Sequence, residues 1–160
     1  MAGKWGLRFA MKGDSIQVPS VGLRFFASDA LALDLDAGLS LSHAASTTSI
    51  SLGFGAAGQY YFGTASWPVR PFGVGRLNFG WLPYSYLNQV VIGESLQVGI
   101  NGGAGLEYWP VRFLSVSGSM AAGVSIASVS ANAGQFGSTS QTVITFGTVN
   151  PQLAVTLYTP

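Results

Sequence analysis

The chain has 160 residues, a charged fraction of 8% and a formal net charge of +1. That length suits one domain spanning 1–160, but the charged fraction is far below the ~25% of an ordinary soluble domain. So little charge gives no electrostatic case for a nucleic-acid partner, and the absence of cysteine excludes a disulfide framework and a thiolate metal site.

Mean hydropathy is +0.40, yet no run approaches the ~18 consecutive apolar residues of a transmembrane helix. The apolar residues must therefore be spread periodically, as in transmembrane β-barrels, and the 22 glycines count against long helices. Met1-Ala2-Gly3-Lys4 is not a signal peptide, because no apolar segment follows it. For an exported protein this implies a mature form whose leader has been removed.

The first element, Lys4 to Lys12, sets Trp5, Leu7, Phe9 and Met11 against Gly6, Arg8 and Ala10. After a turn at Gly13-Asp14-Ser15, a strand from about Gln17 to Phe26 sets Val21, Leu23 and Phe25 against Ser20, Gly22 and Arg24. Ala27 to Ala30 connects tightly to the clearest stretch of the chain, Leu31 to Ser42. There Leu31, Leu33, Leu35, Ala37, Leu39 and Leu41 alternate with Ala32, Asp34, Asp36, Gly38, Ser40 and Ser42. Alternation at period two is a strand with two different faces. The segment exceeds the ~5–6 residues of a typical strand and matches the ~9–11 needed to cross a bilayer. A small soluble barrel would point its apolar side chains inward, but the acidic face here also carries Gly and Ser and is too narrow and uniform for a solvent surface.

Beyond a loop at Ala44 to Thr48, the strand Ile50 to Tyr61 turns Ile50, Leu52, Phe54, Ala56 and Tyr60 outward, against Ser51, Gly53, Gly55, Ala57, Gln59 and Tyr61. A turn over Gly63 to Pro71 leads to a strand ending near Leu82, with Leu77, Phe79 and Trp81 outward and Arg76, Asn78 and Gly80 inward. Its parity is ambiguous at Gly73-Val74-Gly75, where a bulge is expected. Pro83 to Glu94 reads as a long loop. Ser95 to Tyr108 places Gln97, Gly99, Asn101, Gly103, Gly105 and Glu107 inward, and Phe113 to Ile126 places Ser115, Ser117, Ser119, Ala121, Gly123 and Ser125 there. A second long loop, Ala127 to Ser140, precedes a last strand from about Thr142 to Tyr158, interrupted at Asn150-Pro151.

These are about eight strands with short and long connections in alternation, so the expected fold is all-β: a closed up-and-down antiparallel transmembrane β-barrel. The short connections would face the periplasm and the longer ones the outside. Trp5, Phe25, Tyr60, Trp67, Tyr108 and Trp109 then collect at one lipid interface, with Trp81, Tyr84 and Tyr86 at the other. Amphipathic rings favour the headgroup level.

Gly103-Ala104-Gly105-Leu106-Glu107-Tyr108, a short turn and Phe113-Leu114-Ser115-Val116 resemble the penultimate hairpin of small OmpA/OmpX-like outer-membrane barrels. The turns Trp67-Pro68-Val69-Arg70 and Trp109-Pro110-Val111-Arg112 fit the same family. The resemblance implies the bacterial outer membrane, membrane lipid or detergent as partner, a monomer, and loops free for an extracellular partner. One feature departs from the family. Its last strand usually ends on an aromatic residue in phase with the apolar ones, whereas Tyr158 is one residue out of phase with Leu153, Val155 and Leu157.

The inward positions gather Arg8, Arg24 and Arg76 with Asp34, Asp36 and Glu107. Charges in a narrow lumen must be paired or hydrated, so the six form either a stabilising plug or an ion pathway. Arg24 and Asp34 are nearly symmetric about the turn and suit a cross-strand pair. His43, beside Ser42 and Ser46, raises the reading of a lipid-modifying enzyme. A base needs an orienting partner within reach, and only Glu94 falls at a comparable height, so no catalytic, metal or cofactor-binding residue is expected. The functional expectation is a structural, envelope-anchoring barrel. The alternatives are a narrow passive channel for small solutes and, behind it, the lipid-modifying enzyme. A soluble lipocalin-like barrel is the alternative fold.

Overall fold

The computed structural model describes residues 1–12, 19–44, 47–64, 66–86, 91–132 and 138–159, the backbone alone at 12, 40–44, 47–49, 83–86, 91–92, 131–132, 138 and 148–150. Eight strands follow one another: β1 Trp5–Lys12, β2 Ser20–Phe26, β3 Leu31–Ala44, β4 Thr47–Tyr61, β5 Val69–Tyr86, β6 Val91–Val111, β7 Leu114–Asn132 and β8 Ser138–Tyr158. Each pairs antiparallel with its neighbours in sequence, and β1 closes the barrel on β8.

Closure carries a stagger. The row of lateral partners from Arg8 runs through Gly22, Asp36, Gly55, Asn78, Gly99 and Ser125 to Thr145, whereas Arg8 itself pairs with Thr156. A tilted barrel requires such a climb along the strands.

The exposure pattern is inverted relative to a soluble protein. Leu35, Ile100, Met120 and Leu153 stand outward, each more than 60% exposed, as do Leu7, Phe9, Val98 and Val155. Inside, Arg8, Arg24, Asp34, Gln59 and Glu107 are buried. The large buried apolar side chains gather at the end that carries the short turns, where Phe26, Tyr61, Phe72 and Tyr158 pack with Ala32, Ala57 and Val74. Tyr61 lies 5.6 Å from Phe26 and 5.5 Å from Phe72, ring centroid to centroid. Side chains floor the barrel there, as an eight-stranded interior permits. Gly6 makes room for this floor, since a Cβ on it would come within 2.8 Å of the Tyr158 ring.

Several expected boundaries move. β5 begins at Val69, so Val69, Arg70 and Pro71 belong to a strand and not to a turn. Alternation is unbroken through Arg70, Phe72, Val74 and Arg76, all inward, so no bulge sits at Gly73 to Gly75. The register shifts lie instead between Tyr108 and Val111 and between Ala121 and Gly123. The second faces the Asn150-Pro151 segment, where proline withholds a ladder donor, and β8 continues through it. The loops expected at Pro83 to Glu94 and Ala127 to Ser140 shrink, because β5 reaches Tyr86, β6 starts at Val91, β7 reaches Asn132 and β8 starts at Ser138. Above the apolar band a ribbon needs no apolar alternation to keep its ladder, and a polar strand resembles a loop in sequence. The loop at Ala44 to Thr48 shortens likewise, with β4 starting at Thr47. The proposed turn at Gly13 to Ser15 and the start of β2 at Gln17 lie outside the described residues.

Candidate functional site: the lumen charge network

Parity brings the six charged residues named from sequence to the lumen, on β1, β2, β3, β5 and β6, and all are buried. At the centre, Arg24 and Asp34 are direct cross-strand partners. Arg24 Nε and Nη2 donate to the two Asp34 oxygens at 2.6 and 2.9 Å, a bidentate fork. Its Nη1 faces both Glu107 oxygens at 2.8 and 2.7 Å. One guanidinium thus ties β2 to β3 and, across the barrel, to β6. A planar five-donor fork is suited to joining two carboxylates.

Arg8 forms the second pair. Its Nη1 donates to Asp36 at 3.0 and 3.1 Å, and its Nε lies 3.5 Å from Asp34. The inward glycine on β2 is required here: a Cβ on Gly22 would stand 2.3 Å from the Leu35 carbonyl oxygen and 2.5 Å from Asp36 Oδ1.

The six do not form three matched pairs. Arg76 has no carboxylate within ion-pair distance among the described residues, and its Nε and Nη2 are buried without a partner. Glu107, paired with Arg24, is completed by neutral groups. Ser115 Oγ donates to Glu107 Oε1, which the Tyr158 hydroxyl also approaches at 3.0 Å. The Tyr61 hydroxyl sits between Glu107 Oε2 and Gln59 Oε1, the latter at 2.8 Å, and Gln59 Nε2 donates to Asp34 at 2.8 Å. A carboxylate needs donors, not a formal counter-charge alone. A charge-only reading therefore passed over Gln59, Tyr61, Ser115 and Tyr158, although parity already turns the first three inward. The signal for Tyr158 was the same mismatch that set it apart from the family: being out of phase with Leu157 makes it a lumen residue.

Arg70 is the other residue the sequence did not mark. It is 2% exposed, its Cζ lies 4.8 Å from the Tyr61 ring centroid and 5.9 Å from that of Trp109, and its Nη2 donates to the Asp29 carbonyl at 2.8 Å. Four guanidiniums therefore face three carboxylates among the described lumen residues.

Of the proposed interface aromatics, Trp5, Tyr60, Trp67 and Tyr108 are about half exposed at the turn end, with Trp5 against Phe25 at 4.6 Å and Tyr60 against Phe62 at 5.5 Å. Trp81 stands towards the other end, its Nε1 3.4 Å from Glu94. Trp109 must be reassigned: it continues the inward row after Glu107 and packs on Tyr61 at 5.7 Å beneath the floor. The side chains of Ser42, His43, Tyr84 and Tyr86, and the whole of Ser46, lie outside what is described. Among the described residues, no group of three or more His, Cys, Asp or Glu could hold a metal ion.

Scans against protein-family models and against curated proteins find no match. Solved structures do match. The N-terminal β-barrel domain of Pseudomonas aeruginosa OprF is similar over 99% of this chain and 98% of that one, with a TM-score of 0.61 at 16% identity. Outer Membrane Protein W of E. coli is similar over 98% of each chain, with a TM-score of 0.56 at 17% identity. With eight antiparallel strands closed in sequence order, the apolar face outward and the charges within, this chain has the fold of the small outer-membrane β-barrels.

Proposed function

We propose that the protein is an integral outer-membrane β-barrel with a closed lumen, anchored as a structural component of the envelope and presenting its strand extensions for contact. The observation that carries this reading is Arg24, wholly buried and shared between Asp34 and Glu107 above a floor of aromatic rings. A desolvated guanidinium with both carboxylates satisfied is a stable seal, because parting the charges leaves each of them costly to bury. The outward face, apolar along every strand, supports residence in a bilayer.

The test is planar-bilayer recording of the refolded protein. No stepwise conductance is expected, and steady channel activity would refute the closed-lumen reading. Recovery as a soluble monomer without detergent would refute the membrane reading itself.

A narrow passive channel is the second reading, and one feature favours it. Beyond the Arg24 cluster, Ser20, Arg76, Asn78 and Gln152 carry buried polar atoms without protein partners, beside inward Gly99 and Gly123. That half of the lumen is polar and lined by small residues. A conducting protein whose ion preference shifts away from cations on Asp34→Asn would establish this alternative.

A further inference from the structure

The two Trp-Pro-Val-Arg segments come together. Val69 pairs with Tyr108, Arg70 pairs with Glu107, and Trp109 N–H continues the ladder to the Pro68 carbonyl at 2.8 Å. The repeats therefore lie side by side at the turn end, and they are used in opposite senses. In the first, Trp67 is exposed and Arg70 is buried; in the second, Trp109 is tucked in and Arg112 is exposed. Between them opens a cavity of about 440 Å³ lined by Trp67, Pro68, Arg70, Trp109, Pro110 and Arg112.

Three donor atoms at this cavity lack acceptors, while a fourth, Arg70 Nη2, is held by the Asp29 carbonyl. Arg70 Nε and Nη1 are buried with no hydrogen-bond partner, and so is Trp109 Nε1. No carboxylate lies within ion-pair distance of Arg70 among the described residues, because its ladder partner Glu107 is committed to Arg24. A buried donor set without an acceptor calls for an anion. Arg112 adds a second cation to the lining, and half-exposed Trp67 and Val111 put the cavity at the turn end, where the interface aromatics lie.

We propose that this cavity binds the phosphate of an anionic phospholipid headgroup in the leaflet at the turn end. Arg70 and Trp109 would donate to the phosphate oxygens, Arg112 would attract the charge, and Trp67 with Pro110 would flank the glycerol. Guanidinium and indole N–H groups suit phosphate oxygens, and an apolar lip beside them suits a molecule that is anionic at one end only. The site rests on the membrane reading above and is independent of whether the lumen conducts.

The experiment is native mass spectrometry of the refolded protein released from phosphatidylcholine vesicles containing a minor fraction of phosphatidylglycerol. One phosphatidylglycerol should be retained about tenfold over phosphatidylcholine, a difference of about 1.4 kcal/mol. Arg70→Gln and Trp109→Phe should each abolish the preference. The phenylalanine keeps an aromatic ring next to Tyr61 while removing the indole N–H together with part of the ring, so it tests the site even if the Arg70 variant fails to fold. Equal retention of the two lipids, or a preference that survives Trp109→Phe, would overturn the proposal. So would a lipid complex dispersed by millimolar inorganic phosphate, which would assign the site to a free anion. Failure to insert into vesicles at all would instead remove the membrane reading on which the site depends.

Discussion

Replacing Arg24 by leucine is the perturbation with the largest expected effect on the lumen. The guanidinium serves two carboxylates, and their alternatives are unequal. Asp34 keeps Gln59 Nε2 at 2.8 Å and Arg8 Nε at 3.5 Å. Among the described residues, Glu107 keeps only hydroxyls, from Tyr61, Tyr158 and Ser115. Removing one partner of a buried pair costs ~3–5 kcal/mol, so Arg24→Leu should lie in that range, with most of the loss at Glu107. The asymmetry gives a sharper expectation. Arg24→Leu with Glu107→Gln should recover more stability than Arg24→Leu with Asp34→Asn, because only the first pairing neutralises the carboxylate that has no second cation. Reversible urea unfolding in lipid vesicles, followed by tryptophan fluorescence, measures all three variants. A loss below ~1 kcal/mol for Arg24→Leu, the range of solvated pairs, would mean that water already separates these charges and that the seal does not exist.

Asp34→Asn alone should also lower stability by the same unfolding measurement, since Arg24 loses the counter-charge of its fork and Arg8 a nearby one, while planar-bilayer conductance stays near zero. Outward Leu35→Arg or Ile100→Arg should cost ~2–4 kcal/mol near the midplane. Inward Ser125→Arg, on the half-buried lumen side, should cost less, and equal unfolding penalties on the two faces would invert the assignment. Ser125 is a better control than Ser117, which is buried opposite Glu107. Tyr61→Phe should cost ~1–3 kcal/mol, because Glu107 and Gln59 lose a hydroxyl between them; thermal unfolding in detergent reads this directly. Gly22→Val should reduce refolding yield on gel-mobility assay, since its first carbon would already collide with the Leu35 carbonyl oxygen.

The inside-out alternation of Leu31 to Ser42 and its repetition in the other strands were enough to specify the barrel, the strand count and the face of nearly every described residue. Period-two patterning is a local property, and a bilayer outside with a small-residue lumen inside leaves each strand only one orientation. The Arg24–Asp34 pair was legible for the same reason, as both positions follow from one short turn.

What composition could not supply was everything set by contacts between distant strands. Glu107 meets Arg24 across the barrel, which depends on the stagger of the closed sheet, and no sequence spacing encodes that. The same stagger leaves Arg76 beyond reach of the carboxylates and lets Tyr61 and Tyr158 serve Glu107. The strand ends at Val69, Tyr86, Val91, Asn132 and Ser138 are not legible in the sequence, because past the apolar band the ladder is held by backbone bonds that leave no mark on side-chain pattern. Trp109 shows the limit most plainly. Parity with inward Glu107, two residues earlier, already turns it towards the lumen, but tryptophan at a strand end is ordinarily an interface residue, and only the tertiary packing on Tyr61 decides between the two.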